Sequence, residues 1–268
     1  MKHAIIMLVY YNYDLIERCL KSFSHYLKDN KADIYFIENP SIHSIKIKEL
    51  VKKYNINFHY ICNENIGGCA FELFPRQNKS LMEKYEYISV TESDVIVENG
   101  AIEECIDILD NNVEVPVISI QLNCELYKYR NLPTSKWVHR SQKYKTFYKG
   151  STGFQFIMFR NYVLYDFLEK LNNKKIINPI ALGCRNFYGV SDSNLTHYIK
   201  MIKSVWARTN SKLDHIGWEK YVDKDGFRNE QHEYCLEKKK HVYRTRSNII
   251  LDNMEKYKLE NLTDTINI

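Results

Sequence analysis

The chain has 268 residues, 44% of them hydrophobic, which suits one large α/β domain or a core domain with an appendage. Its formal net charge of +5 comes from 38 basic residues mixed with 33 acidic ones, so the composition does not require a nucleic-acid partner. The seven cysteines include no C-x-x-C pair, which argues against a disulfide framework or a zinc site and favours reduced thiols in a cytoplasmic protein.

The first half of the chain alternates apolar, strand-like runs with amphipathic, helix-like runs. The strand-like runs are 4–10, 34–37, 58–61, 87–97 and 115–122. The first run is too short for a membrane span, and its continuous hydrophobicity is typical of a buried parallel strand. The alternation predicts an α/β fold with a mostly parallel central sheet, helices on both faces, and ligand-binding loops at one edge.

Two carboxylates, Glu92 and Asp94, interrupt the apolar run 87–97. We expect a strand to end there and the backbone to turn at the carboxyl edge of the sheet. Two such carboxylates can converge on one Mg²⁺ or Mn²⁺ ion, which in turn binds substrate phosphates. The alternative is that both acids face solvent at a loop tip.

Other polar segments follow predicted strands. Gly67 and Gly68, after the strand at 58–61, allow close approach of the backbone to a ligand, or simply a tight turn into a helix. Asp192 precedes a predicted helix at 194–203, where it is either a helix cap or a functional acid. Residues 204–209 predict a late strand.

These segments, in this order, resemble the nucleotide-sugar-dependent glycosyltransferases of the GT-A (Rossmann-like) fold, particularly the inverting family 2 type. The resemblance covers most of the chain. Each motif is short, but the order in which the motifs occur is stronger evidence for the resemblance than any single motif. The segments that carry it are Val9–Tyr13 with the helix Leu15–Phe23, Ile37–Ser41, Asn63–Gly68, Glu92–Asp94, Gly150–Phe154 and Val190–Asp192.

The resemblance implies a GT-A domain over 1–218, with a donor half at about 1–122 and an acceptor half at about 123–218. Residues 219–268 then form a partly helical, basic extension. The donor-binding residues that the resemblance implies are Tyr10, Tyr11, Asn12, Glu38, Asn65, Gly67, Gly68, Glu92, Ser93 and Gly153. Within this set, Glu38 stands where the family usually has an aspartate that contacts uracil. Asn39-Pro40-Ser41 departs from the common aspartate-glycine-serine pattern, so the base stays open.

The resemblance also implies a catalytic centre. Glu92-Ser93-Asp94 looks like the family's DXD motif, with Asp94 and Glu92 as ligands of Mn²⁺ or Mg²⁺. His215 resembles the third metal ligand of some GT-A enzymes, although a lone histidine is more often structural. Asp192 corresponds to the acid that deprotonates the acceptor hydroxyl.

The implied function is metal-dependent, inverting transfer of a sugar from a nucleotide-sugar donor, with a UDP-sugar favoured. The implied acceptor is a hydroxyl of a glycan or lipid-linked glycan in bacterial surface polysaccharide synthesis, with no nucleic acid involved. The mixed aromatic and basic stretch 123–149 is either a substrate lid or a solvated surface excursion. The basic residues 238–246 either touch the inner face of the membrane peripherally or form a solvated face.

Two other classes fit parts of the sequence. A nucleotidyltransferase shares a related α/β core, but usually has a glycine-rich loop with a basic residue after the first strand, where this chain has Tyr10-Tyr11-Asn12. A non-catalytic protein that binds nucleic acid or membrane would depend on the basic tail. It would show salt-dependent binding without any need for a divalent metal.

Overall fold

The computed structural model describes residues 3–28, 31–123, 142–144, 146–150, 154–173, 189–217 and 247–263. Helices α1 to α7 span Tyr13–Lys28, Ser44–Lys53, Ala70–Gln77, Lys79–Met82, Ala101–Asn111, Asn161–Asn172 and Asp192–Met201. Residues 247–252 are also helical. Strands β1 to β11 span His3–Val9, Ala32–Glu38, Phe58–Cys62, Tyr87–Glu92, Val95–Val97, Val117–Leu122, Gln142–Tyr144, Phe147–Lys149, Phe156–Arg160, Trp206–His215 and Leu259–Asn261.

All eleven strands belong to one sheet, in the order β11-β3-β2-β1-β4-β9-β6-β10-β8-β7, with β5 paired to β10. Strands β3, β2, β1 and β4 are parallel neighbours, and β6 runs parallel to β10. Strand β9 is antiparallel to both β4 and β6. The predicted α/β class, with a sheet that is mostly parallel in its core, is confirmed.

Helices cover both faces of this sheet. Helices α1, α2 and α5 pack on one face, with Phe23 and Leu50 fully buried there. Helices α3, α6 and α7 pack on the other face, where Phe74 and Phe167 are fully buried. Because side chains of a strand alternate between faces, a strand between two helical layers is apolar at nearly every position. This explains the unbroken hydrophobic run in β1.

Strand β10 is longer than the sequence predicts. The predicted strand ends at 209, whereas β10 continues to His215 with an irregular register between Arg208 and Lys212. At this irregularity Thr209 Oγ1 accepts a hydrogen bond from Gln121 N and donates one to Ser211 O. The Thr209 hydroxyl thus replaces part of the backbone hydrogen bonding between β6 and β10 at this irregularity, as in a β-bulge. The polar residues 210–212, for which the sequence predicted no strand, lie within β10.

The described C-terminal residues return to the sheet. Strand β11 pairs antiparallel with β3, with Leu259 opposite Cys62. In the helical residues 247–252, Ile250 is buried in the same layer as α3. The proposed boundary at 218 adjoins residues outside the described ranges. Among the helices that the structure describes, none has the length and hydrophobicity needed to cross a bilayer.

Candidate active site

The parallel strands bring several polar segments to one edge of the sheet. In β1, Leu8 is the register partner of Ile37 in β2 and of Glu92 in β4. The residues that follow these three strands therefore emerge side by side, since adjacent strands lie about 4.8 Å apart. The loop after β3 emerges beside them, because β3 runs parallel to β2.

Glu92, Asp94 and His215 form a compact cluster at this edge. Glu92 ends β4, Asp94 lies in the turn before β5, and His215 ends β10 as the register partner of Val95. His215 Nε2 lies 3.2 Å from Glu92 Oε2 and 3.3 Å from Asp94 Oδ1. The structure thus brings His215 next to Glu92 and Asp94, two neighbouring acids that lie far from it in the sequence.

The two carboxylates control the charge of the imidazole. Burial by itself lowers the pKa of His215, but hydrogen bonds and charge from Asp94 and Glu92 outweigh it and raise that pKa to about 9. The cluster therefore attracts positive charge. One ligand atom from each residue lies within 4.8 Å of the others, and two carboxylates with an imidazole form a donor set that suits Mn²⁺ or another divalent cation.

Backbone contacts hold the Asp94 turn against the end of β10. The carbonyl of Asp94 accepts hydrogen bonds from Ile216 N at 2.8 Å and from Gly217 N at 3.4 Å. A Cβ placed on Gly217 would lie only 1.9 Å from Asp94 Oδ2. Gly217 thus makes room for the carboxylate. Sequence reasoning did not single it out, since no local pattern reveals a contact across 123 positions.

A cavity of about 300 Å³ opens at the ends of β1 and β2 and under the loop after β3. Its lining includes Leu8, Tyr10, Asn39, Asn65, Ile66 and Gly67, together with two residues of the C-terminal segment. Tyr10, Asn65 and Gly67 are predicted donor-binding residues. Leu8, which lines the cavity, is the register partner of Glu92, so the cavity and the acidic cluster share the neighbouring strands β1 and β4.

Asn39 fixes the loop that covers this cavity. Its Oδ1 accepts a hydrogen bond from Ile66 N at 2.9 Å, and its Nδ2 donates to Gly67 O at 3.3 Å. Asn65 Oδ1 in turn accepts from Gly67 N at 3.0 Å. Gly67 has φ +55°, a conformation that glycine adopts readily, and with Gly68 it begins the helical turn that leads into α3.

Glu38 is not among the residues that line the cavity. Strand alternation places Glu38 on the same side of the sheet as Phe36, whereas Ile37 lies in the layer that borders the cavity. The Glu38 side chain is fully buried, and its Oε2 lies 2.7 Å from His59 Nε2. The neighbouring residue Asn39 lines the cavity in its place.

The loop after β1 presents two tyrosines to solvent. Tyr10 and Tyr11 are each nearly half exposed, and Tyr11 has φ +61°. The Tyr11 ring also makes an edge contact with His43 at 4.8 Å between centroids. Asn12 directly precedes α1, and its carbonyl accepts a hydrogen bond from Ile16 N in the first turn. The predicted donor residue Ser93 lies in the turn between Glu92 and Asp94, and Gly153 lies outside the described residues.

Asp192 is the first residue of α7, and the N-cap is its neighbour Ser191, whose side chain accepts from Asn194 N. The Asp192 side chain reaches solvent, but partial desolvation by the surrounding protein raises the pKa of its carboxyl. The hydrogen bond from Ser193 N lowers that pKa by a smaller amount. Ser191 therefore fills the capping position, and Asp192 places an acid in the first turn of the helix, where the helix dipole stabilises it.

A buried carboxylate anchors the segment that enters α7. Glu72 Oε2 accepts from Val190 N at 3.3 Å, while its Oε1 accepts from Arg76 Nη2 at 2.6 Å. Glu72 lies on α3, immediately after the loop that covers the cavity. Sequence reasoning missed this residue, because an acid and a base four positions apart are common on exposed helix faces.

The fold has counterparts among solved structures. S. aureus TarS 1–349 in complex with UDP-GlcNAc has a TM-score of 0.51 at 12% identity, covering 81% of this chain and 61% of that one. The mannosyltransferase PcManGT from Pyrobaculum calidifontis, in complex with GDP-Man and Mn²⁺, has a TM-score of 0.51 at 12% identity, covering 83% of this chain and 57% of that one. The chain has the GT-A fold.

At this identity, the likeness to other GT-A structures concerns the fold. The chain spans less than two thirds of the length of these GT-A neighbours. No protein-family model and no curated protein matches the sequence.

Proposed function

We propose that this protein is a glycosyltransferase that uses a nucleotide-sugar donor. The observation that carries the proposal is the adjacency of the cavity and the acidic cluster, which meet through the Leu8–Glu92 strand pair. A nucleoside in the cavity would place its diphosphate beside Glu92, Asp94 and His215. The GT-A neighbours with UDP-GlcNAc and with GDP-Man and Mn²⁺ support this class of donor.

In the proposed mechanism, Glu92, Asp94 and His215 hold the cation, Mn²⁺ or Mg²⁺. The bound cation would neutralise charge on the departing diphosphate. The loop fixed by Asn39, with Asn65, Gly67 and Gly68, holds the nucleoside, and Tyr10, Tyr11 and Asn12 border its other side. A UDP-sugar is the favoured donor.

Asp192 is the proposed general base of a single inverting displacement. A sugar hydroxyl is a poor nucleophile near neutral pH, so a carboxylate within about 2.6 to 3.2 Å of it would take its proton as the bond from C1 to the diphosphate breaks. The pKa of Asp192 lies above its ordinary value, which makes it a stronger base than a freely solvated aspartate.

The proposed acceptor is a hydroxyl of a glycan or lipid-linked glycan, as in bacterial surface polysaccharide synthesis. A protein in that role would work in the cytoplasm, with peripheral contact at the inner face of the membrane. The basic residues 238–246 that motivate this contact lie outside the described residues.

The test is an assay of a panel of UDP- and GDP-sugars in the presence of Mn²⁺, Mg²⁺ or EDTA. The release of nucleoside diphosphate is measured in each case, and NMR determines the anomeric configuration of the product. Metal-dependent release of UDP or GDP with an inverted anomer is the expected result. Release of pyrophosphate from a nucleoside triphosphate would point instead to a nucleotidyltransferase. Salt-sensitive binding of nucleic acid or vesicles with no turnover would point to a non-catalytic protein.

A further inference from the structure

The C-terminal segment forms one wall of the cavity. Ser247 and Ile250 line it together with Tyr10 and Asn39. Both are buried, with exposures of 2% and 3%, whereas the intervening Ile249 is 56% exposed. The short helix at 247–252 therefore turns one face into the cavity and the other towards solvent.

This wall is fastened to the loop that covers the cavity. Cys69 Sγ lies 3.8 Å from Ser247 O, to which it donates. Asn63 joins β3 to the C-terminal segment through three hydrogen bonds: its N donates to Lys258 O, its Nδ2 donates to Lys256 O, and its Oδ1 accepts from Lys258 N. These hydrogen bonds tie the C-terminal segment to the loop and to the end of β3.

The polar side chains at the end of β2 are already engaged in hydrogen bonds. Both ends of the Asn39 amide bind the loop, at Ile66 N and Gly67 O, and Glu38 is enclosed with His59 on the other face. Neither side chain can turn towards a base without breaking these contacts. Contact with the nucleoside is thus left to the rest of the lining, which includes Tyr10, the loop residues Asn65 and Gly67, and the C-terminal wall.

We propose that Ser247 and Ile250 are nucleoside-contacting residues that set the affinity for the donor nucleotide. This assignment rests on the proposed function, since it takes the cavity to be the nucleoside site. Ile250 supplies an apolar surface for one side of the nucleoside, and Ser247 supplies a hydroxyl at the rim where 247–252 begins. Asn63 is a positioning residue, because it holds the wall without lining the cavity.

The test is calorimetric titration with UDP and GDP in the presence of Mn²⁺. Ile250→Ala should weaken the better of these two ligands by roughly tenfold, as loss of a few buried methyl contacts implies. Ser247→Leu, which adds volume inside the cavity, should weaken it at least as much. Ile249→Ala is the matched control and should bind like the wild type, because its side chain points to solvent.

Asn63→Ala provides a second test in case Ile250→Ala does not fold. Asn63 lies outside the cavity lining, and its loss should also weaken nucleotide binding. Thermal melting checks that each variant is folded. Folded Ile250→Ala, Ser247→Leu or Asn63→Ala protein with wild-type affinity would overturn the assignment and leave the proposed function intact. A wild-type protein that binds neither nucleotide would overturn the proposed function, and the assignment with it.

Discussion

Gly217 lies directly against the carboxylate of Asp94, so closely that a Cβ on Gly217 would sit 1.9 Å from Asp94 Oδ2. The contact is anchored by hydrogen bonds from Ile216 N and Gly217 N to the carbonyl of Asp94. The end of β10 therefore delivers His215 to the cluster and also leaves the space that the Asp94 side chain occupies.

Gly217→Ala should displace the Asp94 carboxylate and weaken Mn²⁺ binding by at least tenfold, measured by calorimetry on the purified protein. A backbone shift that accommodates the methyl group would disturb the same cluster. Gly100→Ala is a useful contrast, since Gly100 has φ +85° and no atom within 4 Å of the added Cβ. It should cost about 1 kcal/mol of stability through backbone strain and leave Mn²⁺ affinity unchanged. Normal Mn²⁺ affinity in Gly217→Ala would contradict the packing argument.

Asp94→Asn should remove most of the metal-dependent increment in UDP or GDP affinity, while Glu92→Gln should remove less. The reason is geometric: Asp94 is the less exposed of the two acids and is held by the end of β10, whereas Glu92 has a more exposed side chain. Titrations with Mn²⁺ and with EDTA measure the increment. Equal affinity of the wild type under both conditions would rule out the metal site.

Asp192→Asn should preserve nucleotide binding yet reduce sugar transfer by roughly 10² to 10⁴-fold, the usual effect of losing a general base. Because the pKa of Asp192 is raised, the acid limb of kcat against pH should lie above the ordinary aspartate value of about 3.9 and should vanish in the variant. Asp107→Asn, on the exposed end of α5, is the control. A folded Asp192→Asn variant with normal turnover would show that Asp192 has only a structural role at the start of α7.

His3 should make the fold sensitive to mild acid. It is buried between Tyr26 OH and Ser89 Oγ, and burial lowers its pKa from 6.5 to about 3. The unfolded chain then takes up a proton below about pH 6.5 that the folded chain refuses until about pH 3, so stability falls as pH falls through this window.

Urea unfolding at pH 7 and pH 5 measures this effect. The wild type should lose about 2 kcal/mol more than His3→Gln over these two pH units, because one proton is linked to unfolding. His3→Gln keeps a polar side chain near Ser89 without a group that titrates. Equal losses in the two proteins would show that His3 takes up its proton at the same pH in the folded and unfolded chains, which would contradict the lowered pKa.

Local features of this protein follow from local sequence. The apolar run 4–10 predicts β1 because a strand between two helical layers needs apolar groups on both sides. Glu92 and Asp94 could be placed at a strand end because two acids cannot continue a buried run. The loop with Gly67 could be expected to allow positive φ. In each case the deciding residues are close neighbours in the chain.

The tertiary structure decided which distant residues meet. His215 joins Glu92 and Asp94 only because β10 pairs antiparallel with β5 in a register that sets His215 opposite Val95. A shift of one residue would turn that side chain to the other face, and no local pattern specifies the register. The same parity places Asn39 at the cavity and Glu38 with His59, since successive side chains of a strand leave on opposite faces.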